Sequence, residues 1–72
     1  MEEAPEIYVK RIKQLRNEAG YTQDYVASYL GISQTMYARY ERAANELPLR
    51  HFMRLCKLYD VPAGYILGME ER

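Results

Sequence analysis

Residues 22–41 read TQDYVASYLGISQTMYARYE, and their pattern is the strongest indication of how this chain folds. Thr22 is a good N-cap for a short helix, because its hydroxyl can accept a backbone hydrogen bond from the first turn. Gly31 ends that helix, since glycine adopts the positive φ of the turn without strain. Ser33 is the next N-cap, and residues 34–42 show no alternating pattern, which indicates a second short helix. The stretch therefore predicts two helices joined so tightly that they cross at a steep angle.

Three further helices are predicted around this pair. A proline suits the first turn of a helix and a glycine suits its end. Between such prolines and glycines, the apolar residues recur at helical spacing. The sequence therefore predicts an all-α fold, a five-helix bundle with short connections that forms a single domain over 1–72, with a flexible lead at 1–5 and a short tail at 69–72. The additional helices run from Pro5 to Gly20, from Leu47 and Pro48 to Asp60, and from Pro62 to Gly68.

The apolar spacing also predicts which side chains face the core. Small Ala27 is expected where the two short helices cross. The other predicted core residues are Ile7, Tyr8, Ile12, Leu15 and Ala19 in the first helix, Val26, Leu30, Ile32, Tyr37 and Tyr40 in and around the short pair, and Leu49, Phe52, Met53, Leu55, Cys56 and Tyr59 in the fourth helix.

The composition excludes several classes of function. The single cysteine, Cys56, cannot form an internal disulfide, and no residues have metal-ligand spacing, so we expect no metal, no cofactor and no small-molecule ligand. There is no apolar stretch of about 18 residues and no signal-peptide pattern, so a cytoplasmic protein without membrane attachment is expected. Neither a nucleophile–base pair nor a phosphate-binding glycine loop is evident, which predicts that the protein is not an enzyme.

The charge distribution is uneven although the net charge is zero. Zero net charge argues against a polyanionic partner, because phosphate contacts need Lys and Arg. However, residues 7–58 carry nine basic and four acidic residues, a net charge of +5, and the other acidic residues lie near the two ends. A basic middle segment is compatible with nucleic acid, and an ordinary mixed surface remains the alternative.

Three polar side chains on the outer side of the predicted third helix have the chemistry for reading base pairs. A glutamine such as Gln34 can donate to and accept from adenine, and an arginine such as Arg39 can make two hydrogen bonds to guanine. Thr35 offers a hydroxyl and a methyl group that can contact the methyl group of thymine. The same residues are common on any solvated helix, so their significance comes from lying together on one helix after a tight turn.

The stretch TQDYVASYLGISQTMYARYE resembles the helix-turn-helix of the lambda-repressor-like, or XRE, family of bacterial and phage regulators. The resemblance extends over nearly the whole chain. RIKQLRNEAGYTQ is similar to the first helix of the family and its lead into the motif, and LPLRHFMRLCKLYDVPAGYILG is similar to the fourth and fifth helices. It implies a lambda-repressor-like bundle in which the third helix enters the major groove of duplex DNA.

The resemblance also implies a role for individual residues. Gln34, Thr35 and Arg39 would read bases, and Gln23 would touch a phosphate and brace Gln34. Arg16 and Glu41 would form a largely buried ion pair that locks the first helix to the third. The expected phosphate-contacting residues are Thr22, Gln23, Ser33, Arg42 and Asn45.

Two departures from the family pattern concern the third helix. The family usually has glycine directly after this helix, whereas this chain has Ala43 and Ala44. Because alanine tolerates positive φ poorly, we expect the helix to continue to about Ala44 and Asn45 to take the left-handed turn. Tyr37 and Tyr40 stand where aliphatic residues are commoner, and each buried ring needs a partner for its hydroxyl.

Several remaining side chains are given structural or surface roles. Cys56 is expected to be structural, and His51 to be a solvated surface residue. The C-terminal end is more apolar than a small domain needs, which predicts a homodimer through the fifth helix with two reading helices about 34 Å apart. The residues expected at that dimer interface are Leu58, Tyr65, Ile66 and Met69.

Two functional hypotheses follow. The first is a sequence-specific, double-stranded DNA-binding transcriptional regulator, a repressor that binds a palindromic operator as a dimer. The alternative is a module with the same fold that binds another regulator through its tyrosine-rich surface, formed by Tyr21, Tyr25 and Tyr29. Neutral net charge favours the alternative, and the chemistry of the third helix favours DNA.

Overall fold

The computed structural model describes residues 4–72, with side chains from Ile7 onward. Residues 1–3 of the expected flexible lead lie outside this range. Within it, all regular structure is helical, in agreement with the predicted fold class. The helices are α1 (Ala4–Ala19), α2 (Gln23–Leu30), α3 (Gln34–Glu41), α4 (Leu49–Tyr59) and α5 (Ala63–Ile66).

Three helix starts differ slightly from the prediction. Residues 4 and 5 already belong to α1, so this part of the expected flexible lead is helical. Pro48 and Pro62 are N-caps with extended backbone, at ψ 148° and 149°, and the helices begin one residue later than predicted. A proline ring fixes φ near −65° but leaves ψ free, so it fits the cap as well as the first turn.

The corner between α2 and α3 is formed by local hydrogen bonds. Thr22 Oγ1 accepts from the backbone N–H of Tyr25 at 3.0 Å, and Ser33 Oγ accepts from that of Met36 at 3.1 Å. Gly31 adopts φ 78° between the two helices. Ala27 is fully buried where α2 packs on α3, because a larger side chain would hold the helices apart.

The end of α3 differs from the prediction, which was wrong about the left-handed residue. The helix ends at Glu41, and Ala43, not Asn45, has φ 62°. The backbone N–H of Ala44 donates to the carbonyl of Arg39 at 2.9 Å, and that of Ala43 donates to the carbonyl of Tyr40 at 3.1 Å. This pair of bonds is a Schellman motif, which satisfies two helix-end carbonyls and offsets the strain of an alanine at positive φ.

Ala43→Gly is expected to stabilise the domain. Left-handed backbone costs an L-residue about 1–2 kcal/mol, and glycine removes most of that cost, so we expect a gain of about 1 kcal/mol and a melting temperature about 4–8 °C higher. Ala44→Gly is the matched control, because Ala44 does not have positive φ and should gain nothing. Thermal unfolding monitored by circular dichroism measures both, and equal shifts would contradict the assignment of strain to Ala43.

The core is formed by all five helices. α1 packs against α3, α4 and α5, and α2 packs against α3. Ile7 and Ala19, predicted to be buried, are exposed, whereas Val9 is buried. The buried apolar residues are Val9, Ile12, Leu15, Val26, Ala27, Leu30, Tyr37, Tyr40, Phe52, Leu55, Tyr65 and Ile66.

α4 is rotated about its axis relative to the predicted orientation. Leu49 and Met53 are exposed, at 69% and 57%, and the buried residues are His51, Phe52 and Leu55. The prediction of a solvated His51 was therefore wrong, since its ring lies 6.1 Å from that of Tyr40. Burial, together with the charges of two neighbouring arginines, lowers the pKa of His51. A neutral imidazole is consistent with this interior position.

α5 closes the bundle instead of lying open to a partner. Tyr65 and Ile66 are buried in the chain's own core, so the prediction that they form a dimer interface was wrong. The guanidinium of Arg11 lies 4.2 Å from the centre of the Tyr65 ring, and its Nη1 donates to the Tyr65 carbonyl at 2.6 Å. At the end of the tail, Arg72 pairs with Glu18 of α1. These contacts attach α5 and the tail to α1.

Candidate nucleic-acid interface

The outer face of α3 is polar and exposed. Gln34, Thr35 and Arg39 all lie on the solvent side, while Tyr37 and Tyr40 of the same helix are buried. Their rings meet edge to face at a centroid distance of 6.4 Å, which anchors the inner side of the helix. The helix therefore presents an amide, a hydroxyl and a guanidinium outward from a rigid base.

The starts of α2 and α3 lie together. Gln34 Nε2 donates to Gln23 Oε1 at 2.7 Å, so the side chain at the start of one helix touches the side chain at the start of the other. Thr22 and Ser33 are the caps directly before these two glutamines. The helix N-termini and their caps consequently form one continuous polar surface beside the outer face of α3.

A buried carboxylate holds this surface to the rest of the domain. Glu41, with a side chain only 2% exposed, accepts hydrogen bonds from Arg16 Nε at 2.8 Å and from Arg16 Nη2 at 3.0 Å. It also accepts from the Tyr37 hydroxyl at 2.6 Å and from Gln23 Nε2 at 3.1 Å. The structure thus brings together Arg16 and Glu41, and it supplies the partner that the buried Tyr37 hydroxyl requires.

The ionised form of Glu41 is stabilised in this position. Burial opposes its charge, but the hydrogen bonds from Arg16, Tyr37 and Gln23 outweigh that effect and lower the pKa of the carboxyl. Hydrogen bonding to Glu41 raises the pKa of the Arg16 guanidinium. Burial, then the bond to Glu41, raises the pKa of the Tyr37 phenol, so it remains a donor. The network is therefore a fixed ion pair with an added phenol and amide.

The Glu41 carboxylate also determines how the side-chain amides of Gln23 and Gln34 are oriented. An ionised carboxylate can only accept hydrogen bonds, so Gln23 turns its NH₂ group to Glu41 and its carbonyl to Gln34. Gln34 then donates one of its N–H groups to Gln23. Among the described side chains, from Ile7 onward, none bonds to the carbonyl oxygen of Gln34 or to its second N–H, so an acceptor and a donor lie side by side for an external partner.

Arg39 is held by a residue of the following loop. Its Nε donates to Asn45 Oδ1 at 2.7 Å, and both residues are exposed. From the sequence, Asn45 was assigned to a phosphate contact and this bond was not foreseen, because the path of the loop depends on the left-handed Ala43.

The hydrogen bond between Tyr37 and Glu41 was also not predicted from the sequence. The two residues are four apart on one helix, and this spacing could have indicated the contact.

Other candidate sites in the described part of the chain are weak. Among residues 4–72, no group of three or more His, Cys, Asp or Glu residues could hold a metal ion. Over the same range, no helix is long and apolar enough to cross a membrane. Cys56 is partly buried against the core, and burial raises the pKa of its thiol, as suits a structural residue.

The geometry of α2 and α3 agrees with what the chain is similar to. A family model described as Helix-turn-helix matches residues 12–66. The Bacillus subtilis (strain 168) protein named uncharacterized HTH-type transcriptional regulator YobD is 35% identical over 65 residues, covering 90% of this chain and 58% of YobD. The HTH-type transcriptional regulator ImmR of the same organism is 37% identical over 62 residues, covering 86% of this chain and 49% of ImmR.

A third relative from that organism, the HTH-type transcriptional regulator AnsR, is 31% identical over 62 residues, covering 86% of this chain and 53% of AnsR. The chain thus spans about half the length of these curated relatives. No solved structure matches it significantly. The similarity therefore concerns the unit formed by α1 to α5.

Proposed function

The chain belongs to the helix-turn-helix family, and from this premise we propose that it regulates transcription by binding double-stranded DNA, with α3 in the major groove. The observation that carries the proposal is the exposure of Gln34, Thr35 and Arg39 on one face of a helix whose opposite face is anchored by Tyr37 and Glu41. A reading helix must be both accessible and rigid, because base contacts depend on fixed donor and acceptor positions.

The proposed base contacts follow from the chemistry of these side chains. Gln34 presents an acceptor and a donor side by side, which matches the N6 amino group and N7 of adenine. Arg39 suits O6 and N7 of guanine, and Thr35 suits a thymine methyl group. Together they make the binding specific for a short run of base pairs.

The proposed phosphate contacts flank this face. Thr22, Gln23 and Ser33 lie at the adjoining starts of α2 and α3, where backbone N–H groups attract anions. At the other end of α3, Arg42 is exposed and is the proposed phosphate contact, because Asn45 in the following loop binds Arg39 instead. Contacts at both ends of the reading helix would set its register on the duplex without specifying the sequence.

We further propose that the protein is a cytoplasmic repressor that binds a palindromic operator as a homodimer. Leu67 and Met69, just after α5, remain exposed, and a self-complementary apolar surface there would support a two-fold dimer. With Tyr65 and Ile66 in the core, Leu58 and Met69 are what remains of the interface expected from the sequence. Two-fold symmetry would place the two reading helices about one turn of DNA apart.

Gln34→Ala is expected to weaken binding to the preferred site by about 5- to 150-fold, the equivalent of about 1–3 kcal/mol for a two-bond base contact. The site would first be selected from a random duplex library, in which a dimer should enrich inverted repeats. Fluorescence polarisation then compares the variant with Gln14→Ala, an exposed glutamine of α1 that should bind as the parent does. Absence of binding to any duplex at low salt and micromolar protein would reject the proposal.

The tyrosine-rich surface supports the second candidate function, a protein-interaction module. The ring centres of Tyr21 and Tyr25 lie 4.5 Å apart with the rings tilted by 36°, and Tyr25 is 51% exposed. Tyr29 contributes less, since its hydroxyl donates to the Arg54 carbonyl and its ring faces the Arg54 guanidinium. If no duplex binds, this surface is the one to test by protein capture, with Tyr25→Ala as the control variant.

A further inference from the structure

The hydrogen bond between Arg39 and Asn45 links the reading helix to the loop that follows it. Arg39 Nε donates to Asn45 Oδ1 at 2.7 Å. We propose that Asn45 is a specificity-determining positioning residue, which orients the Arg39 guanidinium so that it meets guanine through its two terminal NH₂ groups. This inference rests on the proposed function of α3 and identifies which edge of Arg39 is used.

The edge matters because a guanidinium can present its donors in two ways. It can offer Nε and one terminal nitrogen side-on, or both terminal nitrogens, Nη1 and Nη2, end-on. The bond to Asn45 occupies the Nε–H and so blocks the side-on edge. Asn45 does not use the end-on pair, which can donate to both O6 and N7 of one guanine.

The loop is attached to Arg39 at a second point, which fixes the position of Asn45. The carbonyl of Arg39 accepts the backbone N–H of Ala44 at 2.9 Å, and the left-handed Ala43 turns the chain back toward the helix. The backbone and the side chain of Arg39 therefore both contact the loop over 43–45. A side chain held in this way loses less rotational freedom on binding than an unrestrained exposed arginine.

A positioning role and a phosphate contact predict different binding behaviour. A phosphate contact adds affinity for every duplex alike and contributes to the salt dependence of binding. A residue that orients Arg39 affects the preference at one base pair only. The two roles can therefore be separated by comparing specific with non-specific binding.

The experiment measures discrimination at the base pair read by Arg39. That position is the one at which Arg39→Ala loses the preference of the parent for guanine. Asn45→Ala is expected to reduce the preference for guanine over adenine by about 2- to 10-fold while leaving affinity for random duplexes unchanged. Asn45→Asp keeps an acceptor for Nε, so it should retain the preference while its negative charge weakens binding to every duplex. In the Arg39→Ala background, Asn45→Ala should have no further effect on the preference.

Nuclear magnetic resonance of the free protein checks the bond without DNA. The Arg39 Nε–H resonance should exchange slowly with solvent in the parent and in Asn45→Asp, and rapidly in Asn45→Ala. Asn45→Ala that weakened all duplexes equally, or bound as the parent does, would overturn the inference alone. A parent that binds no duplex, or Arg39→Ala that keeps the guanine preference, would overturn the proposed function and the inference together. Because Asn45 is exposed, urea unfolding of Asn45→Ala should match the parent.

Discussion

Arg16→Ala and Glu41→Ala should each lower the free energy of unfolding by about 3–5 kcal/mol, because each change leaves an unpaired charge in the interior. The effect should be close to the upper end for Arg16→Ala. Glu41 is 2% exposed and would lose two of its hydrogen bonds, whereas Arg16 is 12% exposed and closer to water. The core of a domain of fewer than about 80 residues rarely supplies more than about 3–5 kcal/mol of stability, so a loss of this size should leave the variants largely or partly unfolded at 25 °C. Urea denaturation followed by circular dichroism provides the measurement.

The matched control for this prediction is Glu18→Ala. Glu18 also pairs with an arginine, Arg72, at 2.9 Å, but both side chains are more than 40% exposed. Water and salt screen such a pair, so its removal should leave the unfolding curve unchanged. Tyr37→Phe should fall between the two, since it removes one hydrogen bond to Glu41 and strands no charge. Glu41→Ala with the unfolding midpoint of the parent would show that the carboxylate does not hold α3 to α1.

The features that the sequence predicts well are those formed by near neighbours in the chain. The caps Thr22 and Ser33 bond to backbone three residues ahead, and Gly31 needs only its own conformational freedom. Such interactions depend on a few adjacent residues, so the corner between α2 and α3 could be read directly. The pairing of Arg16 with Glu41 spans 25 residues and was suggested by the family resemblance alone.

The features that the sequence misses depend either on distant partners or on a balance between opposing local energies. Leu49 and Met53 are as apolar as Phe52, and only the packing of α4 against α1 and α5 decides which side of the helix is covered. The same rotation brings His51 inside, although histidine is fully buried less often than leucine or phenylalanine. At the end of α3, the hydrogen bonds of Ala43 and Ala44 outweigh the unfavourable φ of alanine, an energy balance that residue preferences do not contain.

α5 is too short for its buried side to be recognised from spacing. Its four residues cover little more than one turn, so Tyr65 and Ile66 could equally have been surface residues for a partner. In the fold they fill the space between α1 and α4, and Ile66 is completely buried. Tyr65 and Ile66 therefore close the core of the domain, and they are not available for the dimer interface that the sequence analysis assigned to them.

Ile66→Ala should therefore lower the free energy of unfolding by about 2–5 kcal/mol, because it removes buried methyl and methylene groups and leaves a cavity. Leu67→Ala is the neighbouring control: Leu67 is 46% exposed, so its truncation should have a much smaller effect on folding. Urea unfolding at two protein concentrations distinguishes the core from an interface. If Ile66 stabilises the monomer, Ile66→Ala lowers the free energy of unfolding by the same amount at both concentrations. If that decrease becomes smaller as the protein concentration rises, Ile66 lies between two chains. In this second outcome the dimer would form through Ile66, which requires α5 to detach from α1. The two-fold interface would then not be the exposed surface at Leu67 and Met69.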